Sequence, residues 1–337
     1  METTQPYTPF DAEGGLILAT RLPGEPNDFD THRRTWTELT PPEAEPPLWV
    51  HLDRTRDRAQ QWLRQEAGLD PIVAESLLAE ETRPRAQVIG QGLLVILRGI
   101  NANPGAEPDE LIAIRMWLEA NRIITLRQYR FRTIADLRAR AQRGAAPVTA
   151  GAFLTAVATG LVSHMTPSIN NLEERLDEIE EEMLTQEIDP PIRRSQLATI
   201  RRQAIAYRRF LVPQRDALAS LVNGSPPLLS PRDQVELRVA MEQAARVTEA
   251  LEELRDRAAV TQEEMRARHD ARSGRTLYLL TLVATVALPL GLITGLLGVN
   301  VGGIPLASST WGFAITCLAL VAIAIGQVLW FKKMKWI

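Results

Sequence analysis

The feature that most constrains this chain is a long C-terminal stretch without charge. Arg275 is the last charged residue before Lys332, so residues 276–331 contain no Asp, Glu, Lys or Arg. A membrane-spanning helix needs about 20 apolar residues, so this stretch has room for two spans and a connection. We predict spans at 276–298 and 311–331; at 1.5 Å per residue the first would extend for about 34 Å. A buried helical hairpin is the alternative, but few soluble domains could enclose so long an uncharged stretch.

Basic residues flank the uncharged stretch on both outer sides, whereas the connection at 299–310 contains no Lys or Arg. The flanking residues are Arg266, Arg268, Arg272, Arg275, Lys332, Lys333 and Lys335. By the positive-inside rule, both termini then lie in the cytoplasm and the connection is an external loop. We therefore predict a multi-pass protein of the plasma (inner) membrane with a basic cytoplasmic tail at 332–337.

The overall composition argues against several other classes of protein. The 337 residues carry a formal net charge of −3 and a pI of about 5.9, so nothing suggests a nucleic-acid partner. Cys317 is the sole cysteine, which excludes an intrachain disulfide and a Cys-based zinc cluster. The first residues, METTQPYTPFDAEGG, lack the basic and then apolar layout of a signal peptide.

Residues 1–145 have the pattern of a cytoplasmic α/β domain that ends near Gly144. Short β-like segments alternate with the helical stretches AQQWLRQEAG and PIVAESLLAE, which is typical of an α/β fold. The β-like segments are GLILATRL, PLWVHLD, QGLLVILRGI, LIAIRMWL and NRIITLRQ. An enzyme is one alternative here, but we find no nucleotide-binding loop, nucleophile elbow or metal-ligand cluster, and GQGLLVILRG contains only G-x-G. We predict no enzymatic activity and no cofactor.

Residues 146–275 predict a cytoplasmic helical domain. The acidic segment 172–189 precedes the basic segment 193–211, and their opposite charges favour an antiparallel hairpin, although each would also suit a solvated helix face. A final helix begins near Pro231, and no Pro or Gly interrupts it before Gly274. We expect it to continue into the first span as a stalk. Its apolar seam has three- and four-residue spacing: Leu237, Met241, Ala244, Val247, Leu251, Leu254 and Ala258.

One face of the first span is suited to lining a pore. Two helices per chain cannot enclose a water-filled path, so transport would require an oligomer in which each copy contributes one helix to an inner ring. The candidate face consists of Leu277, Leu280, Ala284, Leu288, Gly291 and Gly295. Close helix packing is the alternative explanation for its small residues. Pro289 removes one backbone donor, and a water-lined pore could satisfy the carbonyl that this frees.

The motif Gly298-Val299-Asn300 closes the first span. The amide oxygen of Asn300 is a neutral acceptor that can bind the waters of a hydrated divalent cation, whereas a ring of carboxylates would hold the ion too tightly for release. Gly298 lets the backbone turn. A lone G-x-N is common in turns, so its position at the outer end of a membrane-spanning helix is what suggests a pore entrance.

These features together resemble the CorA-type metal ion transporters, which have two C-terminal spans, a G-x-N signature, a long preceding helix and an N-terminal α/β domain. The magnesium channels of that superfamily carry Gly-Met-Asn, from which the Gly-Val-Asn of this chain departs. Three longer segments are instead similar to the zinc-transporting ZntB branch: GLLGVNVGGIP at 295–305, TRPRAQVIGQGLLVILRGIN at 82–101 and RRFLVPQRDALASL at 208–221.

The resemblance implies a funnel-shaped homopentamer with a pore lined by the first span and an entrance formed by Gly298, Val299 and Asn300. It implies Zn²⁺ as the transported ion, with Mg²⁺ and Co²⁺ as alternatives, and uptake coupled to protons, with efflux as the alternative direction. Unlike the magnesium branch, the loop VGGIPLASST has no acidic residue, so Asn300 and backbone groups would contact the ion first. A membrane-anchored scaffold is the alternative from another class.

Histidine offers few candidate metal ligands. His32, His51, His164 and His269 show no paired spacing, so each is expected to be structural or exposed. His164 and His269 fall on the helices expected to face the interior of the funnel, and they are the two candidates for metal binding. Neither span contains Asp, Glu or His, so a coupled proton would travel with the hydrated ion or titrate a cytoplasmic group such as His269.

Overall fold

The computed structural model describes residues 14–24, 36–39, 46–107, 109–185, 191–299 and 309–334. The chain divides into two compact units, Met1–Gln262 and Glu263–Ile337. The domain limits near residues 145 and 275 stay predictions of the sequence.

A six-stranded mixed sheet lies at the centre of the first unit, with the strand order β1-β2-β6-β5-β4-β3. The strands are β1 (Leu16–Arg21), β2 (Leu48–Asp53), β3 (Arg85–Ile89), β4 (Gly92–Ile100), β5 (Leu111–Leu118) and β6 (Arg122–Arg127). Strands β2 and β6 are parallel, and the other neighbouring pairs are antiparallel. The five predicted β-like segments correspond to β1, β2, β4, β5 and β6. The sequence analysis does not predict β3, because this edge strand has no buried residue and therefore no apolar pattern.

Helices cover both faces of the sheet and enclose two hydrophobic cores. One core is covered by α1 (Asp57–Gln61), a π-helical turn (Trp62–Glu66) and α2 (Pro71–Leu78). The other is covered by α3 (Arg132–Ala141), by the first half of α4 (Ala150–Thr185) and by parts of the two helices that follow. Because successive strand residues point to opposite faces, β2, β4, β5 and β6 each contribute buried residues to both cores. This architecture confirms the predicted α/β class.

The helical region continues from α4 into α5 (Pro191–Gly224) and α6 (Pro231–Leu297). Arg193 at the start of α5 pairs with Glu182 near the end of α4, as expected for the predicted hairpin. Other interhelical ion pairs, however, involve α6, which the charge pattern alone does not indicate: Arg257 with Asp177 and Glu180, and Arg208 with Glu252. The acidic and basic segments are therefore held by a third helix as well as by each other.

Helix α6 begins where the sequence predicts it and has 67 residues, which corresponds to about 100 Å. A capping box defines its start, because the backbone N–H of Ser230 donates to Asp233 Oδ2 at 2.9 Å and the backbone N–H of Asp233 donates to Ser230 Oγ at 3.2 Å. The predicted apolar seam is largely buried. Its buried members are Leu237, Ala244, Leu251, Leu254 and Ala258.

Among the described residues, three helices are long and apolar enough to cross a membrane: α4, α6 and α7 (Gly312–Lys333). Half of the apolar window of α4 is buried inside the chain, where it forms part of the sheet core, so its hydropathy is explained without a membrane. The apolar windows of α6 and α7 are 0% and 6% buried. Apart from Gly298 and Trp311 at their ends, the two predicted spans lie in these two uncovered helices.

Candidate ion pathway and its surroundings

The apolar part of α6 has two faces that differ in exposure. Six residues on one side are half-buried: Leu282, Val286, Pro289, Leu290, Ile293 and Leu297. The six predicted pore residues are all exposed, and Leu277, Leu280 and Leu288 are 64, 62 and 78% exposed. At about 100° per residue, the two sets are centred on opposite sides of the helix. The chain itself therefore leaves the predicted pore face uncovered, while the role of that face stays a prediction.

The middle of this segment contains Pro289, inside the helix as the sequence predicts. A shallow apolar depression surrounds it, and three of the predicted pore residues contribute to its lining: Ala284, Leu288 and Gly291. The threonine hydroxyls nearby bond to carbonyl oxygens of their own helix, as Thr281 does to Leu277 at 2.8 Å. These hydroxyls are thus engaged locally, and the surface that the segment presents is apolar.

The predicted pore entrance begins where α6 ends. The backbone N–H of Gly298 donates to the carbonyl oxygens of Thr294 and Gly295, at 3.0 and 3.2 Å. A Cβ at Gly298 would lie 3.3 Å from the Thr294 oxygen, so glycine eases this close approach at the helix end. Gly298 and Val299 are exposed, whereas Asn300 lies outside the described residues.

Of the histidines that the structure describes, none belongs to a group of ligands within the chain that could hold a metal ion. His164 Nε2 lies 2.8 Å from Asp136 Oδ2, and His269 is exposed on α6. Within the described ranges, no group of three or more His, Cys, Asp or Glu residues could hold a metal ion. His51 is buried, Cys317 is exposed on α7, and His32 lies outside the described residues.

Two of the segments that resemble the ZntB branch contact each other, which the sequence analysis misses. Arg98 of β4 lies with its guanidinium 4.2 Å from the ring centroid of Phe210. Its backbone N–H donates to Oε1 of the buried Gln214 at 2.7 Å. Burial, together with the nearby Arg209, lowers the pKa of Arg98. The contact joins residues more than 100 positions apart, and no local spacing signals it.

An α/β unit followed by two uncovered apolar helices defines an integral membrane protein, and comparison with known proteins gives its class as divalent cation transporter. Residues 45–333 match the family described as CorA-like Mg²⁺ transporter protein, and the chain belongs to that family.

Relatives agree with this assignment along most of the chain. The chain is 37% identical over 301 residues to the divalent cation transporter CmaX of Pseudomonas aeruginosa, covering 89% of this chain and 90% of CmaX. It is 34% identical over 294 residues to the zinc transport protein ZntB of Yersinia enterocolitica, covering 87% and 89%. The structure of full-length CmaX superimposes with a TM-score of 0.80 at 35% identity, covering 96% of this chain and 99% of the other.

These comparisons confirm the resemblance to CorA-type transporters and the predicted fold class. They also confirm that the function is transport of divalent cations, since the relatives are transporters and not enzymes. One relative is named for zinc and another for divalent cations in general, so the family assignment leaves the particular ion open.

Proposed function

We propose that this chain carries Zn²⁺ into the cell through the central pore of a homopentamer in the inner membrane, with both termini in the cytoplasm. The observation that carries the proposal is the uncovered face of α6, opposite its half-buried face. Similarity to ZntB supports zinc as the ion. The subunit number comes from the resemblance to the CorA family alone.

The uncovered face supports a pore because it is free to face the same surface of identical copies around a common axis. Lipid can cover apolar faces of α6 and α7, but an ion path needs one face directed toward other copies around an axis. Leu277, Leu280 and Leu288 would narrow the cytoplasmic part of such a path, and Gly291 and Gly295 would widen its outer part. The half-buried side, including Val286, then faces away from the axis.

The predicted pore face is uncharged, and this determines the form in which the ion passes. A bare divalent cation beside apolar side chains would pay a large desolvation penalty, so the ion keeps its water shell. Asn300 and backbone groups at Gly298 make the first contact through those waters. A membrane potential of 100 mV supplies about 4.6 kcal/mol to an inward divalent ion, so uptake needs no proton gradient. Any coupled proton travels with the hydrated ion or titrates a cytoplasmic group such as His269.

A broader ion range is the second candidate function. The relative that is 37% identical is named as a divalent cation transporter without mention of zinc. Mg²⁺ or Co²⁺ would pass the same uncharged wall in hydrated form, because nothing in such a wall distinguishes these ions by direct ligation. Competition among the three ions separates the two candidates.

The direct test is ion flux into proteoliposomes that contain the purified full-length chain. Zn²⁺, Mg²⁺ and Co²⁺ are compared, with the pH gradient varied, for the wild type, Asn300→Ala and the matched control Asn223→Ala. Asn223 is exposed at the end of α5, in the other compact unit. We expect Asn300→Ala to lower zinc flux about tenfold, or about 1.4 kcal/mol, and Asn223→Ala to leave it unchanged. Wild-type flux in Asn300→Ala would instead favour a scaffold whose spans are only anchors.

The orientation of α6 has its own test by thiol labelling. In a Cys317→Ser background, Leu288→Cys places a thiol on the exposed predicted pore face, and Val286→Cys places one on the half-buried side. We expect a positively charged, membrane-impermeant thiol reagent to reduce flux about tenfold for Leu288→Cys only, because the bound positive charge opposes cation passage. Inhibition at position 286 with none at 288 would contradict the proposal, because it would mean that the half-buried side of α6 lines the ion path.

A further inference from the structure

Three exposed cations lie at one end of the two uncovered helices: Arg275 on α6, and Lys332 and Lys333 in the last turn of α7. We call them the cationic boundary. Residues 271–337 contain no Asp or Glu. The last acidic residue before them, Asp270, is five positions from Arg275, which does not match the three- or four-residue spacing of paired side chains on a helix. The charge of this boundary is therefore not balanced along its own helices.

The three cations reach the same side of the membrane. The connection at 298–311 is too short to cross the apolar layer as a further helix, so α7 starts where α6 ends and returns to the side where α6 enters. At 1.5 Å per residue, α6 extends for about 33 Å from Arg275 to Leu297, and α7 for about 30 Å from Gly312 to Lys332. The cationic charges are thus level to within about 3 Å.

Arg275 does not belong to the predicted pore face. It lies two positions before Leu277, which at about 100° per residue places it on the opposite side of α6. It also precedes the half-buried Leu282 by seven residues, or about two turns, and so continues the half-buried side. Its guanidinium is therefore directed away from the face that would line an ion path.

The two lysines lie away from the covered side of α7. That side contains every residue of the helix that is not fully exposed, at three- and four-residue spacing: Gly312, Thr316, Leu320, Ala324, Gln327 and Phe331. Lys332 and Lys333 follow Phe331 at about 100° and 200° around the helix. Both ammonium groups therefore extend from the uncovered surface of α7, which is the surface available to lipid.

Aromatic residues mark the depth of this boundary. Tyr278 and Trp330 are 44 and 58% exposed, and each lies within one helical turn of a cation. Such rings settle at the level of the lipid headgroups, which puts the cations beside the phosphates. The other end of the helices has the exposed Trp311 but no charge, because residues 276–331 are uncharged. Both ends suit a headgroup region, and only one adds positive charge.

We propose that the cationic boundary binds the headgroups of anionic phospholipids of the phosphatidylglycerol type. The N–H groups of Lys and Arg donate to phosphate oxygens, and the net negative charge of the lipid balances the charge that the helices leave unpaired. By the positive-inside rule, these lipids belong to the cytoplasmic leaflet. The inference rests on the two helices crossing the membrane, and not on the ion or the direction proposed for transport.

The test is electron spin resonance of spin-labelled lipids around the full-length chain in phosphatidylcholine vesicles. Trace amounts of spin-labelled phosphatidylglycerol and phosphatidylcholine are compared, and the fraction of each lipid that the protein immobilises is measured. We expect a preference of about tenfold for phosphatidylglycerol at low salt, which falls as ionic strength rises. Equal immobilisation of the two lipids at low salt overturns the proposal, because it would mean that carboxylates of other copies neutralise the boundary.

Variants locate the preference. Arg275→Gln and Lys332→Gln should each reduce it about two- to fivefold, whereas Lys332→Arg keeps the charge and should preserve it. Arg266→Gln is the matched control, because Arg266 is also exposed but lies nine residues before Arg275, about 14 Å farther from the membrane and beyond a Debye length. Equal reduction by Arg266→Gln and Arg275→Gln would show attraction by net charge alone and overturn the proposal. Melting temperatures in detergent establish that each variant folds.

Discussion

The two compact units differ in the exposure of their large apolar side chains. In the first unit, Trp49 and Phe153 are completely buried and their rings meet edge to face, with centroids 5.0 Å apart. In the second unit, Trp311 and Phe313 are 72 and 83% exposed. The first unit therefore encloses its own hydrophobic cores, whereas the second presents an apolar surface that the chain itself does not cover, as a membrane protein does toward lipid.

Helix α6 shows the same contrast along a single element. Before residue 262 it has one buried seam that includes Leu237 and Leu251, the pattern of a helix on a soluble core. After residue 276 its side chains are apolar on every side and none is buried. A helix that is apolar all round but uncovered belongs in a membrane. The two parts meet near Arg275, the last charged residue before the uncharged stretch.

The largest expected effect separates the units directly. Phe153→Ala should destabilise the purified protein by about 3–5 kcal/mol, because it leaves a cavity in a filled core. Phe313→Ala removes the same ring from a side chain that is 83% exposed, and its melting temperature in detergent should stay close to that of the wild type. Thermal unfolding of both variants in the same micelles is the measurement.

A large loss of stability in Phe313→Ala would change the comparison, because it would mean that another copy of the chain covers this face in the assembled protein. Parallel sizing of each variant by light scattering would then show whether the loss accompanies dissociation. A small effect for Phe153→Ala would contradict the view that the first unit is stabilised by its own core.

The second expected effect is acid sensitivity that originates in the first unit. Burial, and then the positive charge of Arg127, lower the pKa of His51 from 6.5 to about 3. Below pH 6.5 the unfolded chain binds a proton at this residue and the folded chain does not, so stability falls as pH falls toward 3. The slope reaches about 1.4 kcal/mol per pH unit, or about 2 kcal/mol between pH 6.5 and 5.

Melting temperatures between pH 7.5 and 5 test this linkage. His51→Gln should lower stability at neutral pH yet lose part of the acid slope. An unchanged slope in His51→Gln would place the acid sensitivity elsewhere in the chain and remove this distinction between the units.

The sequence alone predicts elements whose signal is local. The uncharged stretch, the start of α6 near Pro231 and five of the six strands all follow from composition or periodicity within a few residues. The sequence does not predict strand β3, because this strand lies at the sheet edge and has no buried residue. The apolar first half of α4 shows the converse limit, since its hydropathy alone does not distinguish a core helix from a membrane span.

Features that depend on distant residues could not be predicted in this way. Arg98 meets Gln214 only because the sheet and α5 pack together. A cavity lined by Ile17, His51 and Arg127 likewise joins three neighbouring strands and a helix from separate parts of the sequence. The predicted pore face lies between these cases. Its residues follow from helical periodicity, but the single chain does not show what the face points toward.

The smallest expected effect concerns how α6 is held within the first unit. Arg257 donates to Asp177 and Glu180 of α4, and these bonds, that to Glu180 first, raise its pKa. We expect Arg257→Gln to lower the free energy of unfolding by about 1–2 kcal/mol. The partial exposure of the two ion pairs and added salt both reduce this loss. The control Arg255→Gln should be nearly neutral, because Arg255 pairs with its own neighbour Asp256. Thermal unfolding at low and high ionic strength measures both variants. Equal losses would mean that these bonds do not anchor α6, and that the apolar seam alone holds its soluble half in place.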